Sequence, residues 1–452
     1  MKGLPNFVSR IFNNPLYLKS RLWIVLFLLI VLFLLGFKYM VVFLVAKIGF
    51  IFFLAIIVVE IYLLFSKKNA LIGIRQCADR LSNGDENNVY IYCENRFGFK
   101  VQLSILDEIP HQFQIRDFHF KLALAPGEQK SLLYKLRPVR RGEYNFGVLY
   151  FYVTSPIGLV SRRVTFPLNK IVPVYPSYLQ MRKYELFAIS NRLTEIGIKK
   201  IRKVGHNREF DQIKEYVSGD DFRTVNWKAT ARKGALMVNT YQDEKSQQLY
   251  SIIDKGRAMK MPFEGMSLLD YAINASLVIS NIAIKKDDKA GLITFSNRIG
   301  SLLKADKKSA QMQVIMETLY NQDMRFQESD FGRLYRNIKT HIRQRSLLML
   351  YTNFESLVSM NRQIQYLRKI SKDHLLVVIF FENTELASLS NNDAKTTEEI
   401  YIKTIAEKFA FEKRLIVKEL RKYGIHTILT TPQKLTVESL NKYLELKSRG
   451  LI

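Results

Sequence analysis

The sequence predicts a membrane-anchored, multidomain chain: a two-helix transmembrane hairpin, a small antiparallel β-sandwich, then an α/β doubly wound domain. Three observations predict it. Two apolar runs stand near the N-terminus, a stretch of period-two alternation follows, and the C-terminal part alternates apolar strand-like runs with amphipathic helical ones. At 452 residues there is room for two or three domains with real cores, so neither disulfides nor structural metals are required. The boundaries fall at 1–66 for an N-terminal tail and hairpin, 70–177 for the sandwich, 178–245 for a connecting helix and a dense polar segment, and 246–452 for the α/β domain.

Leu22 to Phe37 and Tyr39 to Phe65 are the apolar runs, separated by a turn at Gly36 to Lys38. The first rises about 24 Å, marginal for a ~30 Å hydrocarbon core, so flanking residues must help it span. The second is longer than needed. Lys47 and Glu60 are expected toward opposite interfaces, with Lys47 snorkelling. A cleaved signal peptide is disfavoured, because the first run leads straight into a second with no small-residue cleavage site. Lys2, Arg10, Lys19 and Arg21 precede the hairpin, and Lys67, Lys68 and Arg75 follow it. The positive-inside rule then places both ends, and everything beyond residue 66, on the cytoplasmic side of the membrane. Cys77 and Cys93 are isolated, which suits a reducing compartment.

The charge balance, 68 Lys and Arg against 41 Asp and Glu for a net +27, fits nucleic acid, anionic lipid or an acidic partner. The excess is spread over all regions, with no basic arm and no nucleic-acid motif. That distribution favours a protein lying against an anionic membrane surface, with residues 22–65 in the bilayer, over a nucleic-acid binder.

From about Ala70 to Ser177 the runs NNVYIYCEN, KVQLSILDEI, FHFKLALAPGEQKSLLYKLRP and RGEYNFGVLYFYVTSP alternate apolar and polar residues between Asn-Gly, Pro-Gly and Arg-Gly turns. They predict a sandwich of immunoglobulin-like size. It holds no acid pair or His cluster, so a spacer and docking role is expected. Pro173 and Pro176 close it, and a helix with a basic end starts after them.

The densest chemistry is EYVSGDDFRTVNWKATARKGALMV, residues 215 to 238. Gly219 permits a turn, Asp220 or Asp221 caps a helix through Phe222, Val225 and Trp227, and Gly234 stops it after Lys228, Arg232 and Lys233. Three readings compete: a buried ionic clamp at the domain junction with Trp227 as its apolar anchor; a docking surface for a partner; and a metal-dependent hydrolase site using Glu209, Asp211, Asp220 and Asp221. The basic neighbours compete for those carboxylates. No nucleophile–base pair accompanies them, so no catalytic residue is assigned.

Glu209, Phe210, Tyr216, Gly219, Asp220, Asp221, Arg223, Trp227, Ala229, Ala231 and Arg232 together resemble the signature of the bacterial domain of unknown function 58 family. Lys214 stands where that pattern has Arg, which keeps the charge but loses the planar fork. The resemblance implies a degenerate von Willebrand factor A-like domain after the signature, consistent with apolar strand candidates at 248–254, 290–296, 345–354, 374–383 and 426–432. Domains of that type are similar in carrying a metal site built from D-x-S-x-S, a Thr and a later Asp. Here the corresponding positions are Asp254, Gly256 and Ala258, then Ser329, then Asn353. With one certain carboxylate beside Lys255 and Arg257, the site is expected to hold no Mg²⁺, those cations pairing with Asp254 instead.

The resemblance also implies a partner class, MoxR-type AAA+ ATPases, with which such proteins are proposed to act as adaptors. No GxxxxGK[ST] loop is present, so nucleotide chemistry would belong to the partner. The expectation is a non-catalytic membrane-anchored scaffold or adaptor without a cofactor, binding the ATPase or other protein clients.

Overall fold

Two apolar helices, α1 (Ser20–Gly36) and α2 (Met40–Phe65), form an N-terminal hairpin in the computed structural model, which describes residues 15–67, 69–116, 118–189, 209–242, 246–383 and 396–451. The chain divides into two compact units, Met1–Tyr175 and Pro176–Ile452, so the connecting and signature segments group with the C-terminal unit. Apart from Arg21, Lys47 and Glu60, the side chains along both helices are almost all apolar. α2 is long and apolar enough to cross a membrane, and α1 is a shorter apolar helix, so the pair could anchor the chain. The turn needs its glycine: a β-carbon at Gly36 would lie 2.8 Å from the Phe43 Cα.

Two expectations about charge in this unit are corrected. Lys47 is exposed and lies over the Phe43 ring at 4.6 Å, but Glu60 is fully buried rather than at an interface. Its carboxylate accepts from the Ser155 hydroxyl at 2.5 Å and from the backbone N–H groups of Gly158, Leu159 and Val160 at 3.1 to 3.3 Å. A sandwich loop therefore supplies the donors that a lone membrane-helix carboxylate lacks. Arg162 of the adjoining strand donates to the Leu64 carbonyl at 2.6 Å, meeting an orphan acceptor at the end of α2. Arg75, counted above as a flanking charge, is buried within the sandwich. It pairs with Asp107 at 2.6 Å and donates to the Gly147 and Leu168 carbonyls. Tyr134 donates to the other Asp107 oxygen, and burial still pushes the Asp107 carboxyl above its ordinary value.

The sandwich core is built by alternation. Val89, Ile91 and Cys93 of Asn87–Asn95, Leu103 and Ile105 of Val101–Asp107, and Phe151 and Val153 of Leu149–Thr154 point inward, their neighbours outward. One five-stranded sheet runs Leu16–Leu18, Val160–Phe166, Leu149–Thr154, Val101–Asp107, His119–Leu124. Leu16–Leu18 belongs to the expected tail, yet it adds an edge strand, Leu16 opposite Arg162. The expected turns hold at Gly84 and Gly127, both at positive φ, whereas Gly142, also at positive φ, opens the strand Gly142–Phe146 instead of a turn. Strands at Leu71–Cys77, Val160–Phe166 and Lys170–Tyr175 were missed by the alternation. Pro173 lies inside the last of them rather than closing the sandwich. On one side its neighbour Leu81–Ser82 pairs only Val174 and Tyr175, so the missing N–H costs no bond there.

In the second unit, α3 (Tyr178–Ile189) packs on the core helix α5 (Leu268–Lys285), with Glu185 held by Lys285 at 2.9 Å and Asn281 at 3.1 Å. The basic end predicted for α3 lies outside the described residues. α5 also passes a length-and-apolarity test for a membrane span, but it is buried against the sheet and is a core helix. The sheet has six strands, in order Ile299–Asp306, Lys289–Phe295, Gln248–Asp254, Leu347–Tyr351, Leu375–Phe381, His426–Thr430. All pairs are parallel except the first, an antiparallel edge strand the sequence reading missed. The chain turns one way from Gln248–Asp254 to Lys289–Phe295, then returns to the other side at Leu347–Tyr351. Asp254 and the residues after Tyr351 thus meet at the topological switch point, where doubly wound sheets bind ligands.

Candidate functional site: a sealed carboxylate and an exposed aromatic–basic hairpin

Asp254 ends the central strand and is buried at 2 % exposure. One carboxylate oxygen accepts from the Ser329 hydroxyl and from the Gly256 backbone N–H at 2.8 Å; the other accepts from the Thr352 hydroxyl at 2.7 Å. Burial raises its pKa despite these three donors. The expected pairing with cations does not occur: Lys255 turns to the buried Gln322 side-chain oxygen at 2.8 Å, and Arg257 forms an exposed ion pair with Glu328 at 2.9 Å. Ser329 stands where a Thr was sought, but Thr352, the first residue beyond its strand, completes the shell. The position assigned from sequence is its neighbour, Asn353.

Asn353 faces away from Asp254. Its amide donates to the Ala258 carbonyl at 3.3 Å, and its oxygen accepts from Lys413 at 2.8 Å. A hollow of about 90 Å³, lined by Asp254, Ser329, Thr352 and Asn353, remains above the carboxylate. Among the described residues no group of three or more His, Cys, Asp or Glu side chains is placed to hold a metal. One carboxylate saturated by hydroxyls and an amide is a poor fit for a divalent ion that prefers several charged oxygens.

The signature segment is a β-hairpin of Glu209–Glu215 and Met237–Gln242 with a structured insert at its end. The predicted single helix is corrected to two short pieces. Asp221 caps a 3-10 turn, Phe222–Thr224, by accepting from the Arg223 N–H at 3.0 Å. Val225 then returns to extended backbone and bridges Val238, and Asn226 caps α4 (Trp227–Lys233) through the Ala229 N–H at 3.0 Å. Asn226 wins because its own position is the one that leaves the strand-like backbone. Gly219 and Gly234 take φ of 112° and 70°, as the stops require.

Asp220 pairs with Lys214 at 2.9 Å and accepts from the Val217 N–H, which lowers its pKa. Both acids of the hydrolase reading that the structure describes, Asp220 and Asp221, are thus engaged in holding the insert, while the side chains of Glu209 and Asp211 lie outside the described residues.

The buried-anchor reading of Trp227 is corrected as well. Trp227 is 64 % exposed and Phe222 60 % exposed, and with Tyr216 they form an edge-to-face row with centroids 6.2 and 6.4 Å apart. Arg223, Lys228, Arg232 and Lys233 are exposed beside them.

The family described as "Protein of unknown function DUF58" matches residues 212–415, from the signature hairpin into the sheet's last helices. The uncharacterized protein YeaD of Bacillus subtilis (strain 168) is 25% identical over 127 residues, 28% of this chain and 31% of that protein, so the chain spans about a third of the curated relative it matches. Among solved structures, the CARDB domain of PF1109 from Pyrococcus furiosus is 16% identical over 23% of this chain and 94% of that one, TM-score 0.16. The conserved hypothetical protein BatB from Bacteroides thetaiotaomicron is 10% identical over 45% of this chain and 100% of that one, TM-score 0.32. Over residues 212–415, this chain is similar to the DUF58 family.

Proposed function

We propose that the chain is a non-catalytic, membrane-anchored adaptor or scaffold that binds protein partners through its second unit and works with a MoxR-type AAA+ ATPase in assembling or remodelling other proteins. In this reading α1 and α2 cross a bacterial inner membrane as a multi-pass anchor, both termini are cytoplasmic, and the α/β region is a von Willebrand factor A-like domain whose metal site has decayed.

The observation that carries it is the pair of exposed rings Phe222 and Trp227, backed by half-buried Tyr216 and flanked by four exposed cations. Large aromatics left in water on a segment whose own caps and ion pair are already satisfied contribute little to folding, and Trp and Arg are the residue types that most often dominate interface energy. Sealing of Asp254 by Ser329 and Thr352 supports recognition over metal chemistry at the sheet edge.

The test is recovery of the ATPase from native membranes, with a slowly hydrolysed ATP analogue holding it in one state. Wild type should retain it, whereas Trp227→Ala and Arg223→Ala should release it while remaining folded. Equal recovery by all three proteins would contradict the reading.

A further inference from the structure

Beside the sealed carboxylate lies a much larger space. A cavity of about 520 Å³ opens at the carboxyl ends of the Gln248–Asp254, Leu347–Tyr351 and Leu375–Phe381 strands. Met261, Phe263, Leu268, Phe381 and Phe409 give it apolar walls, the last from the helix α9, which spans Thr397–Lys422. Protein interiors seldom leave voids larger than a few waters, and this volume falls within the ~300–1,000 Å³ usual for small-molecule sites. An apolar wall of this size facing water is unfavourable unless something fills it.

One cation stands in that wall. Lys413, on the cavity side of α9, donates to the Asn353 side-chain oxygen at 2.8 Å and to the Phe354 carbonyl at 2.5 Å, and its ammonium lies 5.8 Å from the Phe380 ring centre. Both acceptors are neutral. They fix the direction of the ammonium and leave one of its three N–H bonds uncommitted among the described residues. Arg257, the other cation in the lining, is already paired with Glu328. Glu355, which is exposed, and Glu382 also contribute to the lining, and neither forms an ion pair with Lys413 among the described residues.

We propose that this cavity binds a small amphipathic carboxylate, its apolar body against Phe263, Phe381 and Phe409 and its carboxylate on the ammonium of Lys413. A carboxylate supplies the charge-assisted hydrogen bond that the two neutral acceptors do not, in a setting of low local dielectric where it is stronger than in water. Burial also drives the Lys413 pKa down to about 8, so an anion at this point relieves the cost of keeping it charged. The site is distinct from the Asp254 shell, since Asn353 separates the two by turning its amide toward Ala258 and its oxygen toward Lys413.

The full chain in nanodiscs of zwitterionic lipid tests this by equilibrium dialysis with 4-phenylbutyrate, 4-phenylbutyramide and 4-phenylbutylamine, empty nanodiscs being subtracted. Saturable one-to-one binding of the acid is expected, with the amide and the amine at least tenfold weaker. Lys413→Met should weaken the acid at least tenfold and leave the amide unchanged, and Ala410→Phe, which fills the cavity from α9, should abolish both. Equal binding of acid and amide, preference for the amine through Glu355 and Glu382, or undiminished binding by Ala410→Phe would each overturn the proposal. The comparison of the three probes on wild type decides the matter even where Lys413→Met fails to fold.

Discussion

The hydroxyl of Ser329 occupies the space that a β-carbon on Gly256 would need, and from there it donates to Asp254. Glycine at 256 and serine at 329 are therefore one device: the first makes room, the second fills it. Gly256→Ser alone should destabilise the chain by about 1–3 kcal/mol by overpacking, and adding Ser329→Gly should recover part of that loss. A double-mutant cycle on thermal unfolding measures the coupling; simple additivity would show that the two positions are independent.

Asp254 gives a pH test. Its folded pKa is raised, so its contribution to stability is full below the unfolded value and is lost as pH rises toward the folded value. Asp254→Asn keeps an oxygen acceptor, and the Ser329 and Thr352 hydroxyls can accept as well as donate. The variant should therefore gain stability relative to wild type between acidic and neutral pH, whereas Asp254→Ala should lose about 1–3 kcal/mol at neutral pH by stranding its donors. A pH-independent difference between wild type and Asp254→Asn, read by thermal unfolding, would contradict the assignment.

Glu60 ties α2 to the sandwich through four donors. Glu60→Ala leaves three buried backbone N–H groups without their acceptor and should cost about 3 kcal/mol. Glu60→Gln, which keeps one oxygen, should cost less. Protection of the 155–160 loop from hydrogen exchange, followed on the full chain in nanodiscs, should fall in the same order. Unchanged protection in Glu60→Ala would remove the coupling.

Much of the fold was legible because its periodicities are strong. Gln248–Asp254 was placed to the residue, since a buried parallel strand ending in an acid has few competitors. The edge strand Ile299–Asp306 was not, because its half-exposed pattern, broken by register shifts, lacks a continuous apolar run. The site was legible in its residues and less so in their partners. Thr352 sits 98 positions from Asp254 in sequence and carries no local signal; only the parallel register brings them together. Glu60 was misjudged for a related reason, its donors lying on a loop 95 to 100 residues away. Trp227 reads as core by composition, yet at the first position of α4 it stands exposed.

Lys413 predicts a second titration. With its pKa lowered to about 8 by burial, Glu355 opposing that shift, it is half deprotonated well below the ordinary lysine range. Glu382 and Arg257 also face the cavity. Acylation of Lys413, followed by mass spectrometry, should reach half its maximal rate near pH 8. A rate for Lys413 still rising steeply at pH 10 would contradict the environment described here. Below the folded value the charge is retained at a cost, so stability should rise with pH between about 8 and 10.5.

The central claim is that the signature hairpin meets another protein. A photo-crosslinking amino acid placed at Phe222 in living cells, with Ile171 on the sandwich surface as the control position, tests it most directly. The account predicts a AAA+ ATPase crosslinked from position 222, absent from position 171, and reduced when Trp227→Ala is added. Crosslinks of equal yield from both positions, or none to a AAA+ protein from Phe222, would contradict it.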